Sequence, residues 1–153
     1  MTIDARLLAT LKTVADVMNA ARAPWWIIAS AAVALHGADP EHIGDVDVLL
    51  SIADATRILP SLGIPTEKGS KHPDFRSTIF GTWGRAPLPI EFMAGFSYRS
   101  KTQWLPVEPR TRKPIAVDGV TVFAPERAEL IGLLTAFGRP KDIERARRLA
   151  ALA

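Results

Sequence analysis

Residues 25–50 read WWIIASAAVALHGADPEHIGDVDVLL. The order is strand, tight turn, short helix, loop, strand. Trp25 to Ile28 are bulky and apolar throughout, as a strand covered on both faces would be. Ala29-Ser30-Ala31-Ala32 are small residues where strand passes into helix. The helix is expected to run to about His36, with Gly37 as its left-handed stop. Asp45 to Leu50 form the second strand. Asp45 and Asp47 flank one apolar residue, so their side chains share a face, roughly 6.5–7 Å apart along the strand. Val46 and Val48 then face a core. Carboxylates so placed suit a hard divalent cation, which takes oxygen ligands.

On the N-terminal side, Leu7, Leu8, Leu11, Val14, Val17 and Met18 recur at helical spacing. They predict a helix from Asp4 to Ala23, capped by Asp4 and stopped by Pro24. On the C-terminal side, Ser51 caps a helix from Ile52 to about Leu62, its last turn limited by Pro60. A loop or short strand follows from Ile64 to Asp74, with Lys68, Lys71 and His72 exposed. Phe75 to Trp83 and Leu88 to Met93 read as strands. Residues 99–111 read as irregular. Ile115–Val117 and Val120–Phe123, joined by Asp118-Gly119, predict a hairpin. Pro125 opens an apolar helix that Gly138 ends. Pro140 opens a last helix, basic through Lys141, Arg145 and Arg148, whose plain reading is a solvated face. The sum is a mixed α/β (α+β) fold, a central sheet flanked by helices, and a single domain over residues 1–153.

Composition narrows the class. A chain of 153 residues with 48% hydrophobic and 23% charged content can bury a core and is not disordered. The balance of 19 basic and 16 acidic residues permits a phosphate-bearing partner without requiring one. With no cysteine, disulfides and thiolate metal sites are excluded. No apolar run reaches the ~18–20 residues of a membrane helix. Asp4, Lys12 and Asp16 do not suit a signal peptide, so a cytoplasmic protein is expected.

The chemistry rests on three acids. Glu91 sits inside the apolar run Pro89-Ile90-Glu91-Phe92-Met93. A carboxylate there is costly unless paired or metal-bound. If its strand lies beside Asp45 and Asp47, three carboxylates converge and repel one another without a cation. That is the physical case for Mg²⁺ at Asp45, Asp47 and Glu91. Ala29 and Ser30, at a strand-to-helix turn, let backbone N–H groups approach an anionic oxygen at a helix N-terminus.

These features resemble the nucleotidyltransferase superfamily related to DNA polymerase β, above all its minimal and abortive-infection-type bacterial members. The residues that carry the likeness are Ile27-Ile28-Ala29-Ser30, Asp45-Val46-Asp47, Glu91, and the segment Gly119–Leu149 with Gly138-Arg139-Pro140-Lys141-Asp142. The resemblance implies Mg²⁺-dependent transfer of a nucleoside monophosphate from an NTP to an acceptor hydroxyl. Asp45 and Asp47 would bind the metals, Glu91 would complete the site, and Ala29-Ser30 would hold phosphates. The acceptor stays open among a small molecule, an RNA end and a protein hydroxyl, and a partner protein is possible on this reading. Three departures stand out. Ala29 replaces the first glycine of the turn, Ile43 and Glu41 stand where polar and basic groups are usual, and Leu133 stands where the family carries a lysine.

Plainer readings compete. Asp-apolar-Asp is also an ordinary solvent-facing alternation, and Glu91 could pair with Arg76 or Arg85. Ser30 could cap a helix. His36 reads as a satisfied histidine, and His42 and His72 lack ligand spacing. Trp83 and Trp104 are either core or a stacking platform. Lys71, Arg76 and Arg85 could grip phosphates, with surface charge the plainer role. The functional alternative is a nucleotide- or metal-binding module without turnover, as in one half of a toxin–antitoxin-like pair.

Overall fold

The computed structural model describes residues 3–69 and 72–153; Lys71, a candidate phosphate grip, lies outside them. Helix α1 spans Ala5–Met18, and the Asp4 carboxylate accepts from the Leu7 N–H at 2.8 Å. Strand β1 (Trp26–Ile28) runs straight into helix α2 (Ala29–Leu35), and Gly37 follows with φ +92°. Strand β2 is Val46–Leu50, and helix α3 is Ile52–Ser61, capped by Ser51. Strands β3 (Glu67–Gly69), β4 (Phe75–Trp83) and β5 (Ile90–Ala94) follow.

With β6 (Ser97–Ser100) and β7 (Gln103–Pro106), these strands form one curled, mixed sheet in the order β1-β2-β5-β4-β6-β7, with β3 paired to β4. β1 runs antiparallel to β2, whereas β2 and β5 are parallel. Val46, Val48, Leu50, Ile90, Phe92 and Ala94 face a large core shared with α1 and α2. Leu49 and Met93 face the opposite side, in a smaller cluster with Ile28, Phe96 and Val107. The alternation inferred from Asp45-Val46-Asp47-Val48 therefore holds.

Two expectations are corrected. Helix α1 ends at Met18, not near Ala23. The Arg22 and Ala23 N–H groups do not continue it; they donate to the Asp54 carboxylate of α3 at 3.0–3.2 Å. The stretch 99–111 is not irregular throughout. β6 (Ser97–Ser100) and β7 (Gln103–Pro106) make a hairpin whose turn holds Lys101 at φ +57°. The Asp118-Gly119 hairpin forms as expected, joining β8 (Lys113–Val117) and β9 (Val120–Ala124), with both turn residues at positive φ. Helix α4 spans Arg127–Phe137 and stops at Gly138, φ +74°. Helix α5 spans Pro140–Ala150, with Pro140 in its first turn. No helix among the described residues is long and apolar enough to cross a membrane.

Asp54 ties the α1–β1 connection to α3. It is 2% exposed and also accepts from Arg57 Nη2 at 2.8 Å. Burial pushes its carboxyl up, but hydrogen bonds from Ala23, Arg22, Arg57 and Ser51 outweigh that and hold it below the usual range. Its contribution is present above the ordinary carboxylate pKa and fades as pH falls through the lower folded value. Asp54→Ala strands these donors and is expected to cost about 2–3 kcal/mol in urea unfolding at neutral pH. An unchanged midpoint would contradict that role.

Candidate active site

Register across the sheet brings the acids together. Ile28 lies opposite Asp47, Asp47 opposite Glu91, and Glu91 opposite Thr82. Asp45 immediately precedes β2. One carboxylate oxygen from each of Asp45, Asp47 and Glu91 lies within 4.8 Å of the other two, and all three residues are half-buried. The donors are oxygens only, and three are available, so the group fits a hard divalent cation better than a soft one.

Electrostatics agrees. Burial, then the Asp45 charge, then the hydrogen bond and charge of Glu91, push Asp47 well above the ordinary carboxylate range; Arg139 pulls the other way without cancelling them. Glu91 is also raised, by burial first; its hydrogen bond with Asp47 opposes this, and Asp45 adds to it. Asp47 and Glu91 thus behave as a hydrogen-bonded carboxyl pair beside a third acid. Because the folded values are raised, the folded protein holds these protons more tightly than the unfolded chain. Between the ordinary carboxylate pKa and the raised values this group lowers stability as pH rises, and above them the cost is complete. Asp47→Asn is therefore expected to raise the unfolding midpoint of the metal-free protein near neutral pH. A fall in that midpoint would contradict the repulsion.

The alternative partners of Glu91 are not used. Arg76 lies over the Trp104 ring, 4.3 Å from its centroid, and among the described residues no ion pair joins Glu91 to Arg76 or Arg85. Trp83 packs against the main core. Ser30 does not cap α2: the cap position is Ile28, with no side-chain bond, and Ser30 is buried within the first turn. His36 Nε2 meets the Pro125 carbonyl at 2.8 Å, as a satisfied histidine should.

The basic helix is not simply solvated. Arg145 donates to the Pro40 and His42 carbonyls, and Arg148 donates to the Asp39 carbonyl and pairs with Glu41. Helix α5 thereby fixes the loop that delivers Asp45. Arg139, one residue before α5, forks onto Asp142 at 2.6 and 3.1 Å and stacks over Phe75 at 4.8 Å. Its ion pair is with Asp142; its charge reaches Asp47 only at longer range. The acids therefore keep no direct arginine partner among the described residues. Arg139-Pro140-Lys141-Asp142 was visible as a motif, but the reach of the Arg139 charge to Asp47 follows from tertiary packing.

Solved structures share this architecture. A protein of Thermotoga maritima described as a candidate nucleotidyltransferase superposes with TM-score 0.75 at 19% identity, covering 97% of this chain and 95% of that one. The antibiotic-resistance factor ANT(2'')-Ia gives 0.61 at 12% identity, covering 97% and 84%. The lincomycin-bound lincosamide antibiotic adenylyltransferase LnuA gives 0.60 at 7% identity over the whole of both chains. The fold is that of the nucleotidyltransferases. At these identities the likeness is one of fold. No family model matches the chain, and no curated protein sequence matches it.

Proposed function

We propose that the protein transfers a nucleoside monophosphate from an NTP to an acceptor hydroxyl. The supporting observation is the convergence of Asp45, Asp47 and Glu91 within 4.8 Å on a nucleotidyltransferase fold. Asp45, Asp47 and Glu91 would hold Mg²⁺, which when bound neutralises phosphate charge and stabilises the leaving pyrophosphate. Glu91, set beside Asp47 by the β2–β5 register, would receive the proton of the acceptor hydroxyl. The acceptor oxygen bonds the α-phosphorus as the bond to the β-phosphate breaks. The Ala29-Ser30 backbone, at the uncapped start of α2, holds the terminal phosphates. The test incubates the protein with Mg²⁺, each α-labelled NTP and a panel of sugar, aromatic-alcohol, RNA and protein hydroxyls. Label is expected on one acceptor class, with release of pyrophosphate.

A second reading, binding without turnover, is favoured by Ala29. Its φ is +59°, a left-handed value that costs an L-residue about 1 kcal/mol and that glycine adopts freely. A methyl group there also stands where backbone meets phosphate. Ala29→Gly is expected to improve kcat/KM roughly tenfold, equivalent to about 1.4 kcal/mol. NTP·Mg²⁺ binding by calorimetry with no product from either protein would select the binding module.

A further inference from the structure

A cavity of about 470 Å³ lies on the same sheet face as the acids. That is within the ordinary range for small-molecule sites. Trp26, Leu49 and Met93 line it, and these three residues are in register on β1, β2 and β5. The adjacent same-face row is Ile28, Asp47 and Glu91. The cavity floor is therefore one residue row from the acids, a Cα spacing of roughly 6.5–7 Å along the strands. Phe96 and Val107 add apolar wall. Ser51, Ser97 and the exposed Glu108 supply polar groups, and no lysine, arginine or histidine lines the cavity among the described residues.

That lining discriminates between ligand classes. A triphosphate or an RNA end would enter without a single cation to offset its charge, so the cavity does not suit the nucleotide or a nucleic-acid acceptor. A polycationic sugar would find one carboxylate. An uncharged ring system gains from burying apolar surface against Trp26, Leu49 and Met93.

We propose that this cavity binds the acceptor, an uncharged and largely apolar small molecule whose hydroxyl extends along β2 and β5 to Glu91. The assignment rests on the nucleotidyl-transfer reading. In the step it serves, the acceptor O–H gives its proton to Glu91, its oxygen bonds the α-phosphorus, and pyrophosphate departs with the electrons of the broken P–O bond.

The probe is 2-naphthylethanol, titrated without nucleotide by calorimetry and by the NMR signal of the Trp26 indole N–H. Saturable binding that moves this signal is expected. The phosphate ester 2-naphthyl phosphate is expected to bind at least tenfold more weakly. Ser97→Trp, which fills the cavity from a half-exposed position, is expected to weaken binding at least tenfold while the unfolding midpoint is retained. With ATP and Mg²⁺, mass spectrometry is expected to find adenylylated naphthylethanol. No saturable binding, an unmoved Trp26 signal, or equal binding by Ser97→Trp would overturn the site. Probe binding that Ser97→Trp removes, with no transfer to any hydroxyl in the panel, would instead overturn the transfer reading and leave the cavity standing. Transfer to RNA or sugar hydroxyls without probe binding would overturn the acceptor assignment alone.

Discussion

Replacing Asp45 and Asp47 together by asparagine is expected to lower nucleotidyl transfer by at least about 10³-fold, equivalent to roughly 4 kcal/mol of transition-state stabilisation. The two residues supply two of the three oxygen donors that meet within 4.8 Å, and asparagine keeps their shape while removing the charge. The fold should survive. Asp45 and Asp47 are half-buried and share no ion pair with an arginine among the described residues, so no cation is stranded by the change. The same variant should lose any Mg²⁺-dependent rise in unfolding midpoint. Labelled-NTP transfer and thermal unfolding with and without Mg²⁺ check both halves. Wild-type transfer that persists in the double variant would contradict the assignment.

The second large effect is expected at Asp142, the ion-pair partner of Arg139. It is fully buried, stands in the first turn of α5, and accepts both hydrogen bonds of the Arg139 fork. Removing it leaves a guanidinium stacked on Phe75 with no counter-charge. Because the Arg139 side chain is 31% exposed, water recovers part of the loss, and about 3 kcal/mol is expected for Asp142→Ala in urea unfolding. Transfer activity should fall as well, because the fork that positions Arg139, whose charge reaches Asp47, is lost. A variant with wild-type stability and transfer would show the pair to be incidental.

The residues that carried the sequence reading did so for local reasons. Asp45-Val46-Asp47 is a period-two pattern, and strand alternation alone sends Val46 and Val48 into the core. Asp118-Gly119 codes its own turn, since both positions need positive φ. Pro140 and Gly138 punctuate α4 and α5 by chemistry intrinsic to those residues. What was not legible depended on distant partners. The true end of α1 is set by Asp54, more than thirty residues on, which takes the N–H groups of Arg22 and Ala23. The β6–β7 hairpin turns at Lys101-Thr102, which carries none of the usual turn residues, although Lys101 adopts a left-handed φ. The basic stripe of α5 looks like any solvated face until the fold sets it against the 39–42 loop. The meeting of Glu91 with Asp47 needed β5 to lie parallel beside β2 in one particular register, and no local pattern encodes that. The cavity lined by Trp26, Leu49 and Met93 was invisible for the same reason: the three meet only once β1, β2 and β5 pair in register.

The proposed transfer depends on a divalent cation held by Asp45, Asp47 and Glu91. Crystals soaked with Mn²⁺ and a non-hydrolysable NTP, measured for anomalous scattering, test it most directly. A peak is expected about 2.1 Å from carboxylate oxygens of Asp45, Asp47 and Glu91, with the triphosphate on its open side. Bound nucleotide with no anomalous peak at these residues, and the carboxyl groups hydrogen-bonded only to one another, would contradict it.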